Sequence, residues 1–280
     1  MTRIVADTTC GLPPEIYRRL NIPMIPQVIN FGDESFREGV DIDAATFMAR
    51  LRTGKEMPKT AAPYPGDFID VFQECVSAGE SIVCVHPSTD VSGTVRSAEI
   101  ARNDFPGADI RIIDTRTVAG PLGAMVLEAD RLAKQGASAD EVEALVRGMI
   151  PRVRIYFMVD TLEFLRRGGR IGGAQALMGT VLQIKPILTF ANGRVEQFER
   201  ERTKKKALAR IKELIMTESA RGADAHVSVN HADARQEAEA LAADLKQALG
   251  TDEVLILDLV PAVVTHAGPG TLAFGFFTPA

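Results

Sequence analysis

The sequence predicts two domains of mixed α/β structure, a parallel α/β/α domain over residues 1–160 and an α+β domain over residues 161–280. Through the first half of the chain, short apolar runs alternate with amphipathic helical patterns, which is typical of parallel βαβ units. In the second half, Asn192-Gly193 lies between two apolar runs and predicts a β-hairpin, so antiparallel pairing begins there. A length of 280 residues suits two domains or one large α/β domain.

The elements of the first domain follow from local patterns. Runs rich in aliphatic residues predict strands over 3–6, 24–31, 81–85 and 110–113. Apolar residues at helical spacing predict helices over 13–20, 43–51, 93–105 and 119–135, and a further helix after the loop 58–65. A capping box from Ser138 to Glu141 begins another helix.

The second domain shows a different pattern. Strands are predicted over 153–159, 187–191, 195–199, 226–229 and 254–259, with helices around 208–215 and over 234–249. The last part, 259–280, carries no Asp, Glu, Lys or Arg, which raises the question of a transmembrane segment. Glycines and prolines interrupt it repeatedly, so a buried strand, a polar loop and a second buried strand are predicted instead.

Composition limits the class of protein. Hydrophobic residues make up 46% and charged residues 25%, close to an average soluble globular protein. A net charge of -5 argues against broad attraction to nucleic acid or to an anionic membrane. Three cysteines at unrelated spacings suit neither a disulfide framework nor a zinc site, and the first residues lack the apolar core of a signal peptide. A cytoplasmic protein without a metal is predicted.

The familiar catalytic signatures are absent from the sequence: there is no GxGxxG, no GxxxxGK[ST], no GxSxG and no HExxH. Their absence argues against nucleotide binding by the standard loops, against a zinc protease of that type and against an α/β-hydrolase.

The segment 86–94 is a candidate binding loop. It follows a predicted buried strand and precedes a helix, which places it at the carboxyl end of a strand in a parallel sheet. Its hydroxyl groups, Ser92 among them, and the helix amides could hold a carboxylate or a phosphate. Alternatively, Ser92 simply caps the helix. Thr60 lies in a proline-rich segment and carries no signal of its own.

Three basic or titratable residues are candidate functional groups. Arg170 is bracketed by glycine pairs that would fix its direction, whereas neighbouring arginines are typical of a solvated helix end. Arg202 belongs to the mixed-charge run 199–206, which is typical of solvated surface or of a partner contact. His266 precedes the turn 268–270 and is either a core histidine with satisfied hydrogen bonds or a functional group in a loop.

Short segments, taken together and in order, resemble the DegV family. The resemblance runs from about residue 3 to the C-terminus, and the ordered set is specific where single pieces are not. The segments are VADTTCGLP at 5–13, GVDID at 39–43, Lys59-Thr60 with Pro63 and PGDF at 65–68, Ser92-Gly93-Thr94 with Ser97-Ala98, VDTL at 159–162 with RGGRI at 167–171, IKPIL at 184–188, Arg202-Thr203 with Lys205-Lys206, and His266 with GPG at 268–270.

The resemblance implies a two-domain DegV-like fold related to dihydroxyacetone-kinase subunits, with one long-chain fatty acid held between the domains. It implies that Thr60 and Ser92 hold the fatty-acid carboxylate. It places Arg170, Arg202 and His266 at or near the phosphotransfer end or the kinase interface. The fatty acid is the ligand, and no other cofactor, no metal and no catalytic residue of the chain's own is implied.

The resemblance further implies a lipid-binding protein that is not itself an enzyme. It would present the carboxylate to a dihydroxyacetone-kinase-like fatty acid kinase subunit, giving an acyl phosphate for phospholipid synthesis, without binding nucleic acid or inserting stably in a membrane. Hydroxyl donors suit this role because they avoid a buried ion pair. Two alternatives stay open: a lipid-binding or transport protein without a kinase, and a small-molecule enzyme related to dihydroxyacetone kinase.

Overall fold

The computed structural model describes residues 1–54, 57–178, 184–251 and 253–280. The chain divides into two compact units. Unit 1 contains Met1–Pro151 together with Val260–Thr265, and unit 2 contains Arg152–Leu259 together with His266–Ala280. The chain therefore leaves unit 2 near its C-terminus, adds a short segment to unit 1 and returns. The domain boundary predicted near residue 160 stays a prediction.

The elements are named in chain order. The strands are β1 (Thr2–Asp7), β2 (Met24–Ile25), β3 (Val28–Phe31), β4 (Glu34–Arg37), β5 (Lys59–Ala61), β6 (Ser81–His86), β7 (Ile110–Asp114), β8 (Val153–Met158), β9 (Lys185–Ala191), β10 (Arg194–Glu201), β11 (Ser228–His231), β12 (Leu255–Asp258) and β13 (Leu272–Phe277). The helices are α1 (Pro14–Leu20), α2 (Ala44–Thr53), α3 (Pro65–Ser77), α4 (Thr94–Arg102), α5 (Gly120–Lys134), α6 (Ala139–Met149), α7 (Glu163–Arg167), α8 (Lys204–Glu218), α9 (Arg235–Leu249) and α10 (Pro261–Ala267). Short 3₁₀ turns are formed by Thr8–Cys10, Ile150–Arg152, Gly172–Leu177 and Gly222–Ala225.

The central sheet of unit 1 is parallel, with the order β2-β1-β6-β7 in the described part of the chain. Nearly every residue of β1 and β6 is buried, because α3 packs with α4 and α5 packs with α6 over the sheet. Residues Val5 of β1 and Cys84 of β6 are partners in the parallel register. The carboxyl ends of these two strands, Asp7 and His86, therefore meet at the same edge of the sheet.

A second, antiparallel sheet of unit 1 has the order β4-β3-β5. The run 24–31, predicted as one strand, is two strands in different sheets, because Pro26 lacks the amide hydrogen that a continuing strand would need. The segment 58–65, predicted as a loop, contains β5, in which Thr60 pairs with Ile29. A three-residue polar strand has too short a pattern to be recognised in a sequence.

Unit 2 is built on a mixed sheet with the order β10-β9-β8-β13-β11-β12, in which only the β11–β12 pair is parallel among the described residues. The predicted hairpin is confirmed: Asn192 and Gly193 have φ of 52° and 82° and connect β9 to β10. Helices α8 and α9 pack on β13 and β11 through buried residues such as Ile211 and Leu245. The predicted fold class, parallel α/β followed by α+β, is confirmed.

The prediction for 259–280 is wrong in its first part. The apolar run after Leu259 forms helix α10, not a strand, while the turn at 268–270 and strand β13 follow as predicted. Pro261 stands at the first helical position, where its missing amide hydrogen costs nothing. A short apolar run cannot be assigned to helix or strand by periodicity alone. Within the described ranges, no helix has the length and apolar character needed to cross a membrane.

Candidate functional site

A buried acid–imidazole pair lies at the carboxyl edge of the parallel sheet in unit 1. Asp7 ends β1 and His86 ends β6, and His86 Nδ1 lies 2.8 Å from Asp7 Oδ2. Neither side chain is exposed to solvent. The ring of Phe68 meets the imidazole edge to face, with 5.3 Å between ring centroids. A buried carboxylate must be satisfied by donors, and the surrounding loops supply them.

A chain of hydrogen bonds runs from this pair to the candidate loop. Asp7 Oδ1 accepts from Thr9 N and Thr9 Oγ1, and also from Gln27 Nε2 at 3.0 Å. Gln27 Nε2 also donates to Thr94 Oγ1 at 2.8 Å, and Thr94 Oγ1 lies 2.8 Å from Ser92 Oγ. Gln27 and Thr94 are buried, whereas Ser92 is half-buried. The network therefore begins inside unit 1 and ends on a reachable hydroxyl group.

Ser92 lies in the loop between β6 and α4, as predicted. The residue at the N-cap position of α4 is Gly93, and Ser92 Oγ accepts from Thr94 N at 3.3 Å. Ser92 thus takes part in closing the helix end and also terminates the buried network. The helix-end contact agrees with the capping interpretation in part, and the role of Ser92 in holding a ligand stays a prediction.

The segment carrying Thr60 lies against the Ser92 loop. A Cβ atom placed on Gly93 would lie 3.1 Å from the Cβ of Ala62, two residues after Thr60. Thr60 itself is half-buried in β5. The structure therefore brings the two segments that carry the predicted carboxylate-binding residues into contact within unit 1.

Glu38 is a buried acid that the sequence did not single out. Its Oε1 accepts from Ala262 N at 2.7 Å, at the start of α10. Its side chain is almost fully buried, and burial raises the pKa of this carboxyl to about 7. The backbone of the same residue donates to Gln27 O at 2.8 Å, so Glu38 also fixes the position of Gln27.

In unit 2, the structure places Arg170 beside His266. Arg170 Nη1 donates to Gly168 O at 2.7 Å, and a Cβ atom on Gly168 would overlap His266 Nδ1. Burial first, and the nearby charge of Arg170 second, lower the pKa of His266 to about 4. Burial also lowers the pKa of Arg170. His266 is therefore a neutral imidazole near pH 7, held next to a cation.

Arg202 is placed differently. It is exposed in the bend between β10 and α8. The contacts among described residues join Arg170 to His266 but do not join Arg202 to either of them. In the described ranges, no cluster of three or more His, Cys, Asp or Glu side chains is placed to hold a metal ion.

Some residues of the buried network could be recognised from the sequence, and others could not. Asp7 and His86 each follow a buried run, and neighbouring parallel strands bring such residues to one edge. Thr94 was visible as one hydroxyl of the loop. Gln27, in a short connection between strands of two sheets, and Glu38, between β4 and α2, carried no local pattern that marks a buried polar residue.

Known proteins are similar to this chain over almost its whole length. The family model described as "Uncharacterised protein, DegV family" matches residues 1–279. A DegV domain-containing protein of Streptomyces coelicolor is 35% identical over 271 residues, which are 96% of this chain and 95% of that protein.

Two solved structures have the same fold. One, described as fatty acid binding of a DegV family protein from Thermus thermophilus, is 32% identical with a TM-score of 0.86 and covers 99% of both chains. The other, described as DegV, a fatty acid binding protein from Bacillus subtilis, is 30% identical with a TM-score of 0.88 and also covers 99% of both chains. The matching segments, the sheet orders and these full-length similarities lead to one conclusion: the chain belongs to the DegV family.

Proposed function

We propose that this protein binds a long-chain fatty acid and that the hydroxyl groups of Thr60 and Ser92 hold its carboxylate. The observation that carries the proposal is the buried hydrogen-bond chain from Asp7 that ends on Ser92. The contact between Ala62 and Gly93 supports a shared site for the two hydroxyls. The two structures described as fatty-acid-binding members of the family support the choice of ligand.

Neutral donors suit a lipid carboxylate. A hydroxyl group can donate to a carboxylate without the desolvation of a second full charge, which a buried ion pair would require. The acyl chain would supply most of the affinity, since burial of apolar surface contributes roughly 25 cal/mol per Å². The placement of that chain between the two domains stays a prediction.

We infer further that the protein acts as an acyl carrier for a kinase in trans. In that reaction, a carboxylate oxygen attacks the γ-phosphorus of ATP on a dihydroxyacetone-kinase-like partner, giving an acyl phosphate and ADP for phospholipid synthesis. Arg170 and His266 offer a cation and a neutral imidazole in one cluster, which suits stabilisation of developing negative charge. Arg202, exposed before α8, suits contact with the partner.

Ligand binding is tested on the purified protein by native mass spectrometry, before and after addition of oleate. We expect an adduct with the mass of a fatty acid, and weaker retention of oleate in Thr60→Val and Ser92→Ala. Thr53→Val is a matched control, because Thr53 is exposed at the end of α2 and its hydroxyl donates to Ala49 O. A protein that stays free of ligand after oleate is added would overturn the proposal and favour a small-molecule enzyme.

The carrier role needs a separate test. Protein loaded with oleate is mixed with a dihydroxyacetone-kinase-like subunit, ATP and magnesium, and acyl phosphate is trapped as a hydroxamate. We expect product with the native chain, and much less with Arg202→Ala although that variant binds oleate normally. Arg235→Ala, another exposed arginine of unit 2, is the control. Binding of oleate without any hydroxamate would favour a lipid transport protein without a kinase.

A further inference from the structure

We propose that Gln27 and Thr94 are positioning residues that fix the Ser92 hydroxyl as a hydrogen-bond donor, so that the site favours an ionised acceptor, a carboxylate, over a neutral head group. The proposal rests on the proposed function and names a cause of its specificity.

The first step fixes the amide of Gln27. Asp7 Oδ1 already accepts from Thr9 N, and Gln27 approaches it at 3.0 Å. A carboxylate oxygen accepts hydrogen bonds, so the amide nitrogen of Gln27 must face it, because the amide oxygen would place two acceptors together. The backbone of Gln27 is held on both sides, by Thr8 Oγ1 at its N–H and by Glu38 N at its carbonyl.

The second step fixes the hydroxyl of Thr94. The same nitrogen of Gln27 donates its other hydrogen to Thr94 Oγ1 at 2.8 Å, so this oxygen acts as an acceptor. A threonine hydroxyl carries one hydrogen of its own, and Ser92 Oγ lies 2.8 Å away to receive it. Thr94 has no exposed surface. Its hydrogen is therefore directed to Ser92.

The Ser92 hydroxyl is left as a donor. The 2.8 Å contact alone allows either oxygen to donate, but with the Thr94 hydrogen directed to it, Ser92 Oγ accepts from Thr94 Oγ1 as well as from Thr94 N. This leaves the hydrogen of Ser92 to be donated elsewhere. Ser92 is half-buried, so a ligand can reach it. Successive hydrogen bonds in one direction strengthen one another, and an ionised acceptor at the end of the chain benefits most. A carboxylate is such an acceptor, whereas a neutral ester accepts more weakly and an alcohol brings a donor as well.

The test measures dissociation constants for oleate and for methyl oleate in single and double variants. Thr94→Val is close in shape to the native residue and removes the hydrogen that is directed to Ser92. We expect it to weaken oleate binding about 10-fold and methyl oleate binding about 2-fold, given the strength of hydrogen bonds to charged and to neutral groups. Thr94→Ser, which keeps the hydroxyl, should restore oleate binding to within about 2-fold. Thr53→Val, outside the candidate loop, should change neither constant.

Two further variants separate a positioning role from a general structural one. In a Ser92→Ala background, Thr94→Val should have no further effect on oleate binding, because its effect passes through Ser92. Gln27→Met breaks the same chain one residue earlier and should reproduce the selective loss of oleate if Thr94→Val does not fold.

The outcomes are distinguishable. Equal losses for oleate and methyl oleate, or additive effects of Ser92→Ala and Thr94→Val, would overturn the positioning role while leaving fatty-acid binding intact. A native chain that binds neither ligand would overturn the proposed function and this inference together.

Discussion

The candidate clusters of the two units are built on opposite charges. In unit 1, an acid, Asp7, lies at the centre and donors surround it, including a glutamine and an imidazole. In unit 2, a cation, Arg170, lies beside an imidazole whose pKa is lowered. Unit 1 therefore orders neutral hydroxyls through a buried network around an acid, while unit 2 places a cation beside an imidazole.

The same physical cause acts in opposite directions in the two units. Burial disfavours the charged form of any group, so it raises the pKa of the Glu38 carboxyl and lowers the pKa of the His266 imidazole. Both groups are consequently close to neutral in much of the range in which an exposed group of the same type would be charged. The two units should thus respond to pH in opposite ways.

The largest effect is expected from the centre of the unit 1 network. Asp7→Asn would place an amide hydrogen against donors and leave the buried His86 without its acid, so the free energy of unfolding should fall by about 3–5 kcal/mol. Urea unfolding at pH 7 measures this loss. Asp114→Asn, at the end of the neighbouring strand β7 where the carboxylate is half-buried, should cost about 1 kcal/mol or less. Equal losses of unfolding free energy in the two variants would show that the buried network contributes no more stability than a half-buried carboxylate does.

The next effect concerns His266. Its pKa of about 4 is below the ordinary value of 6.5, so between these values the unfolded chain takes up a proton that the folded chain does not. Its contribution to stability is present above pH 6.5 and falls as pH decreases toward 4, by up to roughly 3 kcal/mol. His266→Gln should flatten this part of the stability profile, measured by urea unfolding at several pH values. A profile identical to that of the native chain would contradict the assignment.

The contribution of Glu38 to stability should change with pH in the opposite direction. Its folded-state pKa of about 7 lies above the ordinary value of 4.5, so its contribution is fully present below pH 4.5 and is lost as pH rises toward 7. We expect Glu38→Gln to remove a decline of about 2–3 kcal/mol over that interval. Since the amide keeps an oxygen for Ala262 N, the fold should survive. If Glu38→Gln and His266→Gln changed the profile in the same direction, the contrast between the units would fail.

The smallest effect is expected at Gly168, which lies against the His266 imidazole in unit 2. Gly168→Ala would push a methyl group into the His266 imidazole and should cost about 1–2 kcal/mol. Gly148→Ala is the control, because open space surrounds that position inside α6 and alanine favours helix, so this variant should be stabilised by about 0.5 kcal/mol. Thermal unfolding distinguishes the two. A neutral Gly168→Ala would mean that the imidazole can move aside.

The fold could be predicted from the sequence where patterns were long or chemically unusual. The alternation of strands and helices predicted the parallel sheet, and Asn192-Gly193 predicted the hairpin with its positive φ values. The capping box is present, with Ser138 and Glu141 bonding each other's backbone. Strand β5 and helix α10 were missed because a short or uniformly apolar segment fits more than one element.

The candidate site was predictable only in outline. The loop that holds Ser92 could be placed because binding loops follow buried parallel strands. Thr60 came from the family resemblance alone, and its role stays a prediction. Gln27 could not be found, since a buried glutamine is defined by its partners, and the two partners of its side chain, Asp7 and Thr94, come from other parts of the chain.

The bond from Glu38 to Ala262 joins residues 224 positions apart. Because a ribosome makes the chain from its N-terminus, the first unit must wait for almost the whole polypeptide before its last piece arrives. Until then, the Glu38 carboxyl cannot accept the hydrogen bond from the backbone amide of Ala262 in α10. A newly made unit 1 therefore stays incomplete until residues 152–259 of unit 2 have also been synthesised.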